Sequence, residues 1–280
     1  MTLGDKLRLR LNRPNQISSQ VGSNMTGRIE TPKWAYGVTT VPSRRDDLLS
    51  RTLQSLKAAG FDTPHLFVDG DKHSDGASWE REFNVSVTVR GGLPIKTYGN
   101  WLLSIYELYI RNPQANRFAI FQDDMVTYKN LLQYLEKCEY PPSGYWNLFT
   151  TGSNSFGELR KIKMAAPADG FTGWYRANQL GRGAVALIMN LKCLQTLLGT
   201  SHMIERPTHA TRSTKAVDGA IVTALNKEGW SEYVHFPTLV DHIGEKSSMG
   251  HPPHAPAIGF MGENVDATTF PIQETYHGLG

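Results

Sequence analysis

Phe118-Ala119-Ile120-Phe121-Gln122-Asp123-Asp124-Met125 is an apolar run of strand length that delivers two adjacent carboxylates to its end. In an open α/β sheet, ligands bind outside the carboxyl ends of the strands, so acids placed there face a site and not the core. Mg²⁺ and Mn²⁺ are hard cations that take carboxylate oxygens and share their remaining positions with phosphate oxygens. A strand-end acid pair therefore suits a nucleotide diphosphate held through a metal. The same two acids also suit a second use, capping the helix expected to begin near Tyr128.

Working outward, Ala35 to Val41 is short and β-branched, Pro42-Ser43 interrupts it, and Asp46 to Ala59 carries Leu48, Leu49, Leu53 and Leu56 at helical spacing. That is a βα unit. Pro64 to Val68 reads as a second strand ending in Asp69-Gly70-Asp71, where either acid contacts a base or ribose or simply closes an acidic turn. Asn100 to Tyr109 is helical by its apolar spacing, with Asn100 at its mouth as donor contact or N-cap. Tyr145 to Thr150 and Tyr233 to Phe236 read as strands, and Gly152 to Gly173 as a long loop of the kind that forms lids or acceptor walls. Gly181-Arg182-Gly183 opens the apolar run Ala184 to Met189; a third glycine and the βα context of a dinucleotide fingerprint are missing.

Later segments supply further chemistry. Val217 to Leu225 has helical spacing, which puts Asp218 in a first turn, as a general base for a hydroxyl acceptor or as an N-cap. Trp174 and Tyr175, between Gly173 and Arg176, serve either to stack on an acceptor sugar or base or to fill the core. After Phe236 comes Pro237-Thr238-Leu239-Val240-Asp241-His242-Ile243-Gly244-Glu245-Lys246-Ser247-Ser248, in which His242 is a candidate third metal ligand. Gly244, Lys246 and Ser247 offer close backbone approach, a cation and a hydroxyl to a diphosphate. The histidine and cysteine spacings match no zinc motif.

Taken in order, Thr39-Thr40-Val41-Pro42-Ser43-Arg44, the acid-Gly-acid turn at 69–71, Gln122-Asp123-Asp124 and the late Pro-x-Leu-x-x-His-x-Gly-x-x-Ser-Ser segment resemble a GT-A-fold glycosyltransferase. The last element is similar to the C-terminal segment of type IV branching N-acetylglucosaminyltransferases and, more loosely, of lipooligosaccharide and collagen galactosyltransferases. The resemblance implies a single Rossmann-like α/β domain with a mostly parallel central sheet flanked by helices. It further implies a nucleotide-sugar donor, a UDP-sugar first, and Mn²⁺ or Mg²⁺ bound by Asp124 and His242. Thr39, Thr40, Arg44, Asp69, Asp71, Asn100, Gln122, Asp123, Gly244, Lys246 and Ser247 would line the donor site. Gln122 stands where such enzymes carry an acid, so the amide would bond ribose hydroxyls and leave the metal to Asp124, Asp123 and His242. Transfer to a hydroxyl, with inversion, is the expected reaction; the acceptor is a glycan or, as in phage-type DNA modification, a hydroxylated DNA base. A noncatalytic nucleotide- or glycan-binding module on the same fold is the alternative.

The 280 residues, 40% of them hydrophobic, suffice for one sizeable core. The expected organisation is a polar arm at 1–33, a catalytic domain at 34–250 and a Pro/Gly-rich extension at 251–280. The arm holds six cations, Lys6, Arg8, Arg10, Arg13, Arg28 and Lys33, against Asp5 and Glu30, a net +4; with +3 for the whole chain, the remainder is near −1. Any attraction to polyanions belongs to the arm. No apolar run approaches the ~18 residues of a membrane span and no signal peptide is recognisable. With only Cys138 and Cys193, reduced thiols and a cytoplasmic setting are expected.

Overall fold

The chain divides into Met1–Thr31 and Pro32–Gly280. The computed structural model describes residues 32–71, 76–155, 172–204, 217–244 and 256–272, all in the second unit. Its strands are β1 (Trp34–Thr40), β2 (His65–Asp69), β3 (Val87–Arg90), β4 (Arg117–Gln122), β5 (Met125–Thr127), β6 (Gly144–Asn147), β7 (Gly173–Arg176), β8 (Ala186–Asn190), β9 (Ser231–Phe236) and β10 (Val240–His242). Eight form one sheet in the order β3-β2-β1-β4-β8-β6-β9-β7. β3, β2, β1 and β4 are mutually parallel, β8 runs against β4 and β6, β9 is parallel to β6, and β7 returns antiparallel. The fold is thus α/β with a mostly parallel central sheet.

Both faces of this sheet are covered, which is why β4 reads as a continuous apolar run and not as an alternation. Side chains nevertheless split by the two-residue period of a strand. Val38, Leu66, Val68, Ala119 and Phe121 face a cluster with Leu49, Leu56 and Phe61, beside helix α1 (Ser50–Ala58). Ala35, Phe67, Phe118 and Ile120 face the other cluster, against Tyr98, Trp101, Ile105 and Leu108. Those four lie on α3 (Lys96–Arg111), which follows α2 (Ala77–Phe83). Each buried Val, Leu, Ile or Phe side chain among these contributes roughly 1.5–3 kcal/mol by leaving water. The remaining described helices are α4 (Leu131–Lys137), α5 (Leu191–Leu198), α6 (Ser201–Ile204) and α7 (Val217–Lys227). None of the described helices is long and apolar enough to cross a membrane.

Two features position the end of β4. First, β5 follows the Asp123-Asp124 turn and pairs antiparallel with β10, His242 opposite Met125. Its other edge is laced by α1: Thr52 Oγ1 donates to the Met125 carbonyl at 2.8 Å and accepts from its N–H at 3.1 Å, while Ser55 Oγ accepts from the Thr127 N–H at 2.8 Å. Second, the described C-terminal stretch, 256–272, packs on the same core. Phe260 stacks on Tyr128 at 4.7 Å, Ala267 and Phe270 are buried, and bridges link Thr151 to Ala257 and Lys129 to Asp266.

Candidate active site

β1 leads to β2 and β3 on one side, and the chain then returns to place β4 on the other side of β1. The carboxyl ends of β1 and β4 therefore flank the switch point of the sheet, the crevice in which open α/β folds bind ligands. Thr40 closes β1 and Asp123 follows β4, and the two side chains meet: Thr40 Oγ1 donates to Asp123 Oδ2 at 2.5 Å. Arg44 reaches across from the turn after β1, its Nη1 donating to Asp123 Oδ1 at 2.8 Å and also to Asp124 Oδ2. That turn is a 3₁₀ segment, Pro42–Arg44, running into a π-helical one, Arg45–Leu49. π-turns of this kind recur at functional sites.

The pairing of β10 with β5 brings the fifth group. The Ile243 N–H donates to the Asp124 carbonyl at 2.8 Å, and His242 Nε2 lies 3.1 Å from Asp124 Oδ2. The Asp123, Asp124 and His242 side chains are almost wholly buried. Gly244 is wedged beside them, since a Cβ there would stand 2.8 Å from Asp124 Oδ2 and 3.0 Å from His242 Cε1. The two acids differ electrostatically. Burial pushes Asp123 up to about 6, against the attraction of Arg44 and with the repulsion of Asp124. Burial also opposes the charge of Asp124, but the hydrogen bond and charge of His242, together with Arg44, outweigh it and hold that carboxyl below its ordinary value.

Whether this site suits a divalent cation is testable on its own atoms. Asp124 Oδ1 is buried and has no hydrogen-bond partner among the described residues, leaving an acceptor that a cation would satisfy. A carboxylate with an imidazole is a donor set that Mn²⁺ accepts. Among the described residues no three Asp, Glu, His or Cys side chains gather as a metal cluster. Asp124 and His242 would hold the ion, with donor oxygens and water completing its shell. The residues fit on those terms.

The structure distributes the other expected site residues more widely. Thr39 lies beside Thr40, with Oγ1 donating to the Phe121 carbonyl at 3.3 Å. Gln122 turns away from the acids and donates from Nε2 to the Ala184 carbonyl at 3.0 Å. Next to Ala184, the Gly183 N–H donates to Asp218 Oδ2 at 2.9 Å, and the Gly219 N–H to Asp218 Oδ1 at 3.0 Å. Asp218 thus stands in the first turn of α7 and is bonded to Gly183, the residue before the one whose carbonyl Gln122 holds. Gly181, at φ +63°, passes so close to α7 that a Cβ would meet the Asp218 carbonyl at 2.5 Å. Tyr175 is half-buried beside Phe236 and Ile258.

Four expected contacts are built into the framework instead. Asp69 is buried and accepts from the Ile95 and Lys96 N–H groups at 3.0 and 2.7 Å, capping α3 from β2. Asp71 Oδ2 accepts from the Trp79 indole at 2.9 Å. Asn100 is inside α3, not at its mouth: Nδ2 donates to the Phe67 carbonyl at 3.2 Å and Oδ1 accepts from Arg90 Nε at 3.1 Å. Trp174 is 2% exposed and stacks on Trp146 at 4.7 Å, so of the Trp-Tyr pair only Tyr175 remains accessible. Lys246 and Ser247 lie outside the described residues.

Sequence reasoning overlooked Glu232. It is buried on β9; Oε1 accepts from Asn147 Nδ2 at 3.1 Å and Tyr145 OH at 3.3 Å, and among the described residues it has no cationic partner and Oε2 has no hydrogen-bond partner. Burial, with some repulsion from Asp218, raises it to about 7, although both hydrogen bonds pull the other way. Asn147 Nδ2 also donates to the Arg182 carbonyl at 3.1 Å, so this network reaches the loop that carries Gly183. Glu232 follows Ser231 in a half-polar strand start, Ser-Glu-Tyr-Val, and opens a buried stretch of five residues that runs to Phe236.

No protein-family model matches the chain, and no curated protein matches it. Among solved structures it is similar to the inositol-1-phosphate CTP transferase from T. maritima, at 10% sequence identity and a TM-score of 0.41, over 73% of this chain and 85% of that one.

Proposed function

We propose that this chain is a nucleotide-sugar glycosyltransferase whose donor diphosphate binds at the crevice between the ends of β1 and β4. The observation that carries this reading is the convergence of Thr40, Arg44, Asp123, Asp124 and His242 on that switch point. Asp124 and His242 hold Mn²⁺ or Mg²⁺; when bound, the ion neutralises charge on the leaving diphosphate. Thr40 and Arg44 fix Asp123, and the Arg44 guanidinium is placed to fork onto phosphate oxygens. Asp218 takes the proton of the acceptor hydroxyl, which corresponds to transfer with inversion. Its carboxylate is oriented by the Gly183 N–H, beside the strand end that bears the acids. Tyr175 offers a ring to the acceptor, a glycan or a modified DNA base.

The test requires no acceptor. Incubation with a panel of UDP-, GDP- and CMP-sugars and Mn²⁺ should release the nucleoside diphosphate, or monophosphate from CMP-sugars, from one donor class by slow hydrolysis. Asp124→Asn should abolish this release while circular dichroism and melting remain those of a folded protein. Binding of a nucleotide sugar without turnover, in the presence of glycan and hydroxymethylated DNA acceptors, would favour the noncatalytic module.

A further inference from the structure

The acid pair already carries a cation of its own. Arg44 Nη1 bonds both carboxylates, and Asp124 Oδ2 takes Arg44 together with His242, so the oxygen nearest the imidazole is doubly occupied. The three charged side chains are buried together, Arg44 at 13% exposure and the acids at 7% and 3%. We propose that Arg44 gates the site: it occupies Asp124 until a nucleoside diphosphate arrives, then leaves that carboxylate for the phosphates as a divalent cation takes its place. This rests on the reading of Asp124 and His242 as a metal–diphosphate site.

Charge and geometry both support the exchange. A divalent ion on Asp124 with Arg44 still in place would set three positive charges against two negative ones in a site largely shielded from water, where repulsion is weakly screened. A diphosphate brings the missing negative charge and offers the guanidinium a bidentate partner. The backbone is arranged so that only the side chain need move. Arg45, the next residue, is pinned by Glu82, with Nε at 2.8 Å and Nη2 at 2.5 Å from Oε2, and its guanidinium lies 4.2 Å over the Trp79 ring. Arg44 itself, at φ −107° and ψ 3°, sits in the sparsely populated bridge region at the junction of the two turns. The consequence is ordered loading, with the metal entering together with the donor and not before it.

Mn²⁺ binding measured by electron paramagnetic resonance, with and without UDP as the diphosphate probe, separates the possibilities. Wild type should bind Mn²⁺ alone weakly and at least tenfold more tightly with UDP. Arg44→Gln should bind Mn²⁺ alone tenfold or more tightly than wild type, with most of the UDP dependence gone. Arg44→Lys keeps the charge and should keep Mn²⁺ alone weak, which tests the idea even if the glutamine variant fails to fold. Equal Mn²⁺ affinity in wild type and Arg44→Gln, or tight Mn²⁺ binding by Arg44→Lys, overturns the gate while leaving the metal site standing. Failure of every variant to bind Mn²⁺ when UDP itself binds overturns the metal reading and the gate with it.

Discussion

Asp218 and Glu232 are two acids in contrasting surroundings, one at a helix start and one buried on a strand. Asp218 accepts two backbone N–H groups at a helix start, which fix the orientation of its side chain. Asp218→Asn should lower glycosyl transfer by about 10²- to 10⁴-fold, the usual worth of a positioned base, while donor affinity in a binding assay stays nearly constant. Asparagine retains an acceptor for the Gly183 N–H, so the stability cost should stay near ~1 kcal/mol; transfer at the wild-type rate would remove the base assignment. Burial raises Glu232 to about 7. Its proton is retained in the folded state up to about 7 but lost from the unfolded chain at the ordinary carboxylate value. Between those points the folded state binds more protons, so stability falls as pH rises, by at most roughly 1.4 kcal/mol per unit, and levels off above pH 7. Glu232→Gln, which keeps the acceptor oxygen and replaces the protonated one with an amide, should flatten that decline and raise the melting temperature at pH 8 relative to wild type. An unchanged pH profile would show that Glu232 is ionised in the fold.

At the scale of elements, the site depends on a three-residue strand with an unusual edge. β5 follows the acid pair directly, and its free backbone groups are met by β10 on one side and by the Thr52 and Ser55 hydroxyls of α1 on the other. Thr52→Val preserves the shape but strands the Met125 N–H and carbonyl in a buried setting, at a cost of about 1–3 kcal/mol. Because Met125 adjoins Asp124, donor hydrolysis should fall as well, measured alongside chemical denaturation. Loss of stability with full activity would mean that the turn holds its shape without this lacing. The same elements show what a sequence discloses. β1, β2, β4, β9 and α7 were legible because each carries a sustained apolar period. β5 and β10 were not, being too short to show one. The start of α3 was misplaced at Asn100 because its cap comes from Asp69 on a distant strand, whereas local capping rules look only to neighbours.

For the molecule as a whole, the sheet order sets the position of the site more firmly than any single motif, since the reversal between β1 and β4 creates the crevice. That Asp123 and Asp124 close a strand was legible in the sequence because an apolar run of strand length leads directly into them, and the pairing of β10 with β5 then brings His242 beside them. The choice of core burial for Trp174 and the burial of Glu232 were not legible, because both depend on side chains contributed from remote strands: Trp146 for one, Asn147 and Tyr145 for the other. The central claim is that Asp124 and His242, far apart in the chain and 3.1 Å apart in the fold, serve one metal-bound donor diphosphate. Its most direct test is an anomalous difference map from a crystal grown with Mn²⁺ and UDP. The expected result is a single manganese peak within coordination distance, about 2.0–2.3 Å, of an Asp124 carboxylate oxygen and a His242 ring nitrogen, bridged to the diphosphate. A diphosphate bound elsewhere, or one bound at this crevice with manganese on other side chains, would contradict it.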